Sequence, residues 1–188
     1  MKKIFILLVL FVCFSTVSLF AWEPSDLTKF PSCMTDKNWI LNFGFGFDDN
    51  IEFMGRSGYT WVPPIRLSFD RNIGLGDQKL PFFFGGIVTY SGLGRKDQHV
   101  DWYYSNIGLG FRCGYHFNWG IDNLDTYAVA TGGYVIRLSD NEIHTSGSST
   151  LFSVNIGVRY FFNGFFGVWA ETGYGTHGVF DIGIAFKF

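Results

Sequence analysis

Between Leu151 and Phe162 the side chains alternate without a break. Phe152, Val154, Ile156, Val158, Tyr160 and Phe162 are bulky and apolar, while Ser153, Asn155, Gly157 and Arg159 are small or polar. A period of two puts those sets on opposite faces of a β-strand. The pattern recurs from Trp39 to Phe47, where Trp39, Leu41, Phe43, Phe45 and Phe47 back onto Ile40, Asn42, Gly44 and Gly46. From Tyr104 to Phe117 one face carries Ile107, Leu109, Phe111, Cys113, Tyr115 and Phe117; the other carries Tyr104, Asn106, Gly108, Gly110, Arg112, Gly114 and His116. No segment after residue 21 sustains a helical period, so the chain reads as all-β.

Alternation alone fits a soluble sandwich or a membrane barrel, and composition separates them. Phe, Tyr and Trp supply 20% of residues and charged side chains only 16%. There are 24 glycines in 188 residues, about 13% against a usual share of about 7%. A barrel in lipid accounts for both excesses. Lipid takes the bulky face, and glycine leaves room in a narrow interior. A secreted sandwich is the competing reading.

The start of the chain points the same way. Lys2 and Lys3 precede an apolar run from Ile4 to Phe20, and Ala21 follows, the pattern of a secretory leader. Its 17 residues fall short of the roughly 20 a spanning helix needs. The expected organisation is a cleaved leader over 1–21, a periplasmic segment over 22–38 and a barrel over 39–188. Losing Lys2 and Lys3 leaves 12 basic against 16 acidic residues, a net charge of −4. That balance offers no footprint for nucleic acid. Cys13 lies in the leader, and Cys33 and Cys113 are read as unpaired.

Eight strands are expected, at roughly 39–47, 59–71, 81–94, 102–117, 126–138, 150–162, 165–176 and 179–188. An even count returns the chain to its starting side, and pairing the first strand with the last leaves no edge. Asn163-Gly164 signals a tight hairpin on the periplasmic side. Pro63 and Pro64 belong near the start of strand two, although alternation from Ile65 to Gly76 allows a shifted strand. Segments 48–58, 95–101 and 139–149 are left as external loops.

These segments resemble the small bacterial outer-membrane β-barrels, the family of the OmpA membrane domain and the OmpX type. "PPIRLSFD", "NLDTYAVATGGY" and "GVRYFFNGFFGVWAETGYG" are similar to its strand and turn pieces, and the last residues, "GIAFKF", resemble its C-terminal assembly signal. The resemblance implies a single up-and-down eight-stranded barrel, monomeric, in the outer membrane of a diderm bacterium. It further implies that Ile182, Ile184, Phe186 and Phe188 are read by the barrel-assembly machinery. Outer-membrane lipids and lipopolysaccharide are the expected surroundings, and a host or surface ligand could engage the loops.

Chemistry is concentrated inside. Arg159 and Glu171 share the inward face as near-diagonal neighbours, and Asp181 should lie close to Glu171. Arg66, Arg112 and Lys187 are candidates to complete an interior network, since an unpaired charge in a narrow lumen is costly. Enzyme signals are weak. "GYGTHG" has Gly-x-Gly-x-x-Gly spacing, but no helix follows to cradle a phosphate, and "GRSGY" is off any strand-to-helix turn. The four histidines lack metal-ligand spacing, and no cofactor is expected. The functions in view are a non-catalytic structural or surface-interaction barrel with a plugged polar interior, a narrow channel for small or apolar solutes, and an outer-leaflet lipid-modifying enzyme. The last would need His144 to act with Ser146, Asp140 or Glu142.

Overall fold

The computed structural model describes residues 27–47, 57–77, 79–97, 100–139, 146–175 and 180–188. Eight strands run through them: β1 Trp39–Phe47, β2 Tyr59–Leu75, β3 Leu80–Asp97, β4 Val100–Phe117, β5 Leu124–Ser139, β6 Gly147–Phe161, β7 Phe166–Gly175 and β8 Phe180–Lys187. Each pairs with the next, and antiparallel pairing of β1 with β8 closes the barrel. Closure satisfies the edge hydrogen bonds within the chain, as hydrocarbon demands. The end where β1 begins is called the base here, and the opposite end the rim.

The alternation read from sequence becomes an inside and an outside. Along β6, Phe152, Val154, Ile156, Val158 and Tyr160 are exposed, while Leu151, Ser153, Asn155, Arg159 and Phe161 are buried. Phe111 and Tyr174 stand 83% and 86% exposed, which rules out a sandwich whose bulky face fills a core. Aromatic rings flank the apolar belt. Trp39 stacks on Phe69 at 4.8 Å near the base, and the Tyr90 and Tyr103 hydroxyls meet at 3.0 Å near the rim. Such girdles mark the two interfaces of a membrane barrel.

Several boundaries differ from the sequence reading, each for a local reason. β2 begins at Tyr59 as expected and continues to Leu75, so Pro63 and Pro64 fall near its start, as its fifth and sixth residues. The pairing with β3 shifts register between Val62 and Ile65, where prolines without N–H groups cannot hold the ladder. Most of 95–101 is strand: Arg95 pairs with Trp102, Lys96 with Asp101 and Asp97 with Val100. Likewise β5 reaches Ser139 and β6 begins at Gly147; residues 140–145 of that loop, and 48–56 of the first, lie outside the described residues. Asn163-Gly164 does not form a two-residue hairpin. Residues 162–165 connect β6 to β7, and the Asn163 side chain accepts from the Phe165 and Phe166 amides at 2.9 and 2.6 Å. The asparagine acts here as a side-chain cap.

Candidate functional site

The inward face of the middle wall brings charged residues from six strands together. Arg66 (β2) binds Asp181 (β8) at 2.6 Å and Glu171 (β7) at 2.5 Å. Glu171 also binds Arg112 (β4) at 2.6 Å, and the Arg112 Nε lies 3.2 Å from Asp70 (β2). Arg159 (β6) bridges Asp70 and Asp125 (β5), both at 2.9 Å. Asp125 accepts from His116 Nδ1 (β4) at 2.6 Å. The order Asp181, Arg66, Glu171, Arg112, Asp70, Arg159, Asp125, His116 therefore alternates acid and base from end to end. All eight are buried. Charges at such depth are tolerated only where partners replace the lost water.

Neutral groups complete the chain. The Tyr127 hydroxyl donates to Glu171 at 2.7 Å, and its ring lies 3.9 Å beneath the Arg159 guanidinium. Asn42 Oδ1 accepts from Arg159 Nε at 3.0 Å. Arg112 Nη1, Thr131 Oγ1 and Asn155 Oδ1, on the adjacent strands β4, β5 and β6, have no hydrogen-bond partner within the protein.

Of the residues singled out from sequence, Arg66, Arg112, Arg159, Glu171 and Asp181 fall in this one chain. Arg159 engages Asp70 and Asp125 rather than the diagonal Glu171. Lys187 stands apart at the base, donating to the Cys33 carbonyl at 2.5 Å and lying 4.7 Å from the Phe161 ring centre. Sequence reasoning put Asn42 and His116 on the face of the small and polar residues without joining them to the network, and passed over Asp70, Asp125, Tyr127 and Asn72. Parity was the available signal for most of them: Asp70 and Asn72 share a face with Arg66, and His116 shares one with Arg112. Asp125 sat just before the expected start of strand five.

The segment before β1 closes the base. Met34 is buried with Ile40, Phe161, Trp169 and Ala185, and Phe30 and Cys33 pack against them. Side chains of β2, β4 and the turn after β4 hold its backbone: Tyr115 donates to the Leu27 carbonyl, Asn118 to Phe30, Asn72 to Thr35 and Arg71 to Lys37. Burial, with Asp125 near by, pushes the Cys33 thiol up to about 11, so it stays protonated near neutrality and reacts slowly. Cys113 faces outward on β4, and both cysteines are free.

At the closure, the Phe188 amide donates to Trp39 at 2.8 Å, and the Trp39 amide donates to Phe188 at 3.0 Å. Ile182 and Ile184 are exposed on the outer face of β8, and Phe165 packs on Phe186 and Phe188 at 5.4 and 5.2 Å. His144, Asp140 and Glu142 lie outside the described residues, as do Thr176 to Gly178 of "GYGTHG". Among the described residues no cluster of His, Cys, Asp and Glu could hold a metal ion.

A closed wall with an apolar belt outside, aromatic girdles and an ion-paired lumen defines a small eight-stranded transmembrane β-barrel, the shape of the OmpA and OmpX type. No protein-family model matches the chain, and neither does any curated sequence. Among solved structures it is similar to the N-terminal β-barrel domain of Pseudomonas aeruginosa OprF, at 16% identity and a TM-score of 0.46, over 82% of this chain and 98% of that one. It is also similar to Ail, the attachment invasion locus protein of Yersinia pestis, at 11% identity and a TM-score of 0.45, over 82% of this chain and all of the other.

Proposed function

We propose that this chain is a non-catalytic outer-membrane barrel of a diderm bacterium, with a closed lumen and a structural or surface-interaction role. The observation that carries the closed lumen is the acid–base chain spanning it from Asp181 to His116. Apolar layers support the same reading on either side. Ile87, Val135 and Leu151 fill the lumen toward the rim, and the Met34 cluster fills the base. Eight strands leave an interior that side chains just fill. Purified protein in planar bilayers should then show no discrete, reproducible conductance, and stepwise openings would overturn the closed lumen.

The leader over 1–21, the periplasmic side for the base and assembly through Ile182, Ile184, Phe186 and Phe188 belong to the same proposal. The surface role draws on the rim, where Trp102 and Tyr104 stack at 5.8 Å and Arg137 lies 4.9 Å from the Tyr104 ring centre. Aromatic and arginine side chains are the usual anchors of interfaces. Replacing 48–56 by Gly-Ser should abolish binding to host matrix or lipopolysaccharide while heat-modifiable gel migration stays normal. Unchanged binding would refute a role for that loop. The channel reading draws on the unpartnered Arg112, Thr131 and Asn155 atoms, because polar groups of this kind usually hold water. The same bilayer recording separates it from the closed barrel.

A further inference from the structure

The acid–base chain has an end that decides its charge. Three arginines, Arg66, Arg112 and Arg159, face four carboxylates, Asp70, Asp125, Glu171 and Asp181; apart from His116 and the Tyr127 phenol, these are the ionisable side chains among the buried described residues. Taken without the histidine, the lumen carries one surplus negative charge. His116 is also placed between two acceptors. Its Nδ1 lies 2.6 Å from Asp125 Oδ1, and its Nε2 lies 3.0 Å from Asn72 Oδ1. The orientation of the Asn72 amide is fixed from the other side, because its Nδ2 donates to the Thr35 carbonyl at 3.0 Å. A neutral imidazole has one donor, and only the doubly protonated ring has two. With Asp125 ionised opposite Arg159, donor count and charge balance give the same answer.

We infer that His116 is a buried proton site that locks the base segment: it is held as imidazolium between Asp125 and Asn72, and that proton keeps Asn72 oriented toward Thr35. The groups facing it come from every packed element. β5 offers Asp125 and the Tyr127 ring at 6.3 Å, β3 the Phe83 ring at 4.9 Å, and the base segment the Phe30 ring at 5.8 Å. Beyond them stand Arg159, bound to Asp125, then Asp70 behind that guanidinium, with Arg112 on the same face of β4 beyond Gly114, and the Cys33 thiol and Lys187 beside the base segment. When the proton leaves, the Nε2 lone pair meets the lone pairs of Asn72 Oδ1. Turning the amide over repairs that contact and breaks the bond to Thr35. Loss of one proton is thereby transmitted to the segment that closes the barrel.

Two measurements test this on the full barrel in lipid nanodiscs. With ¹⁵N-labelled histidine at pH 7.5, His116, assigned by its disappearance in His116→Gln, should show protons on both ring nitrogens, whereas a free histidine with a pKa of about 6.5 is mostly neutral there. A single protonated nitrogen at His116 would overturn the proposal without any variant having to fold. The second measurement is alkylation of Cys33, read by peptide mass spectrometry in a Cys113→Ser background. His116→Gln should speed it by about tenfold, the loss of one charge-assisted hydrogen bond. Adding Asp125→Asn, which restores equal numbers of buried positive and negative charges, should slow it again toward the parent rate. Heat-modifiable migration confirms that each variant is folded. A rate unchanged in His116→Gln, or not slowed by Asp125→Asn, would mean that the histidine only fills space.

Discussion

Arg159 and Tyr160 are neighbours in sequence and opposites in surroundings. Arg159 is wholly buried and touches Asp70, Asp125, Asn42 and Tyr127. Tyr160, 43% exposed on the outer face, meets Phe162 at 5.6 Å and otherwise looks out toward lipid. The inner face is a set of specific partners, each of which leaves another stranded when removed. The outer face answers to a solvent without shape. Substitution should therefore act very differently on the two faces of one strand.

The largest effect is expected at Glu171, where one carboxylate holds both Arg66 and Arg112. Glu171→Gln keeps the shape and removes the charge. It should destabilise the barrel by about 3–5 kcal/mol, the cost of breaking a buried pair from one side, measured by urea unfolding in lipid vesicles. A loss below about 1 kcal/mol would show that the lumen is wet enough to screen its arginines. Deleting Phe188 comes next. It removes both backbone bonds to Trp39 and the bond from the Asn38 side chain at 3.1 Å, about 2–4 kcal/mol in all. Levels in the outer membrane should fall accordingly. A normal level would make β8 an ordinary strand with no assembly role.

The contrast between faces also explains what sequence alone could reveal. β1 was legible from Trp39 to Phe47 because every second residue is large and apolar, and a one-residue slip would turn Asn42 into lipid. Which inward residues meet across the lumen is a different matter. It depends on the stagger of strands around the barrel, which no single strand encodes, so Arg159 found Asp70 and Asp125 instead of Glu171. Asp125 was missed because it opens its strand, where alternation has barely begun. The base segment carries no periodicity at all. Phe30 and Met34 announce themselves as buried only once the ends of β1, β6, β7 and β8 are gathered around them.

Glycines sharpen the comparison with the smallest possible probe, a single methyl group. At Gly114, facing inward, a Cβ would sit 2.3 Å from the Phe83 ring and 2.5 Å from the Ala128 carbonyl. Gly114→Ala should cost about 1–3 kcal/mol through overpacking. At Gly132, facing outward on β5, nothing lies within 4 Å of the same position. Gly132→Ala should leave stability unchanged or slightly higher, because alanine restricts the unfolded chain. Equal losses at both positions in urea titrations would mean that backbone conformation, rather than crowding, sets the need for glycine.

A small loss is expected from an apolar substitution at Phe111, whose 83% exposure makes it one of the least enclosed large side chains of the barrel. It sits opposite Gly86 on β3 and Gly132 on β5, so its immediate cross-strand neighbours offer it no side chain to pack against. Phe111→Leu keeps an apolar group in the same belt and should shift unfolding by no more than about 0.5 kcal/mol. Phe111→Arg at the same place tests the surroundings instead of the packing, because a charge on the lipid face of a barrel costs up to about 4 kcal/mol, the more the deeper it lies. A water-facing wall would tolerate the arginine as easily as the leucine. A lipid-facing wall separates them, so the ratio of the two effects reads the environment of the outer face directly.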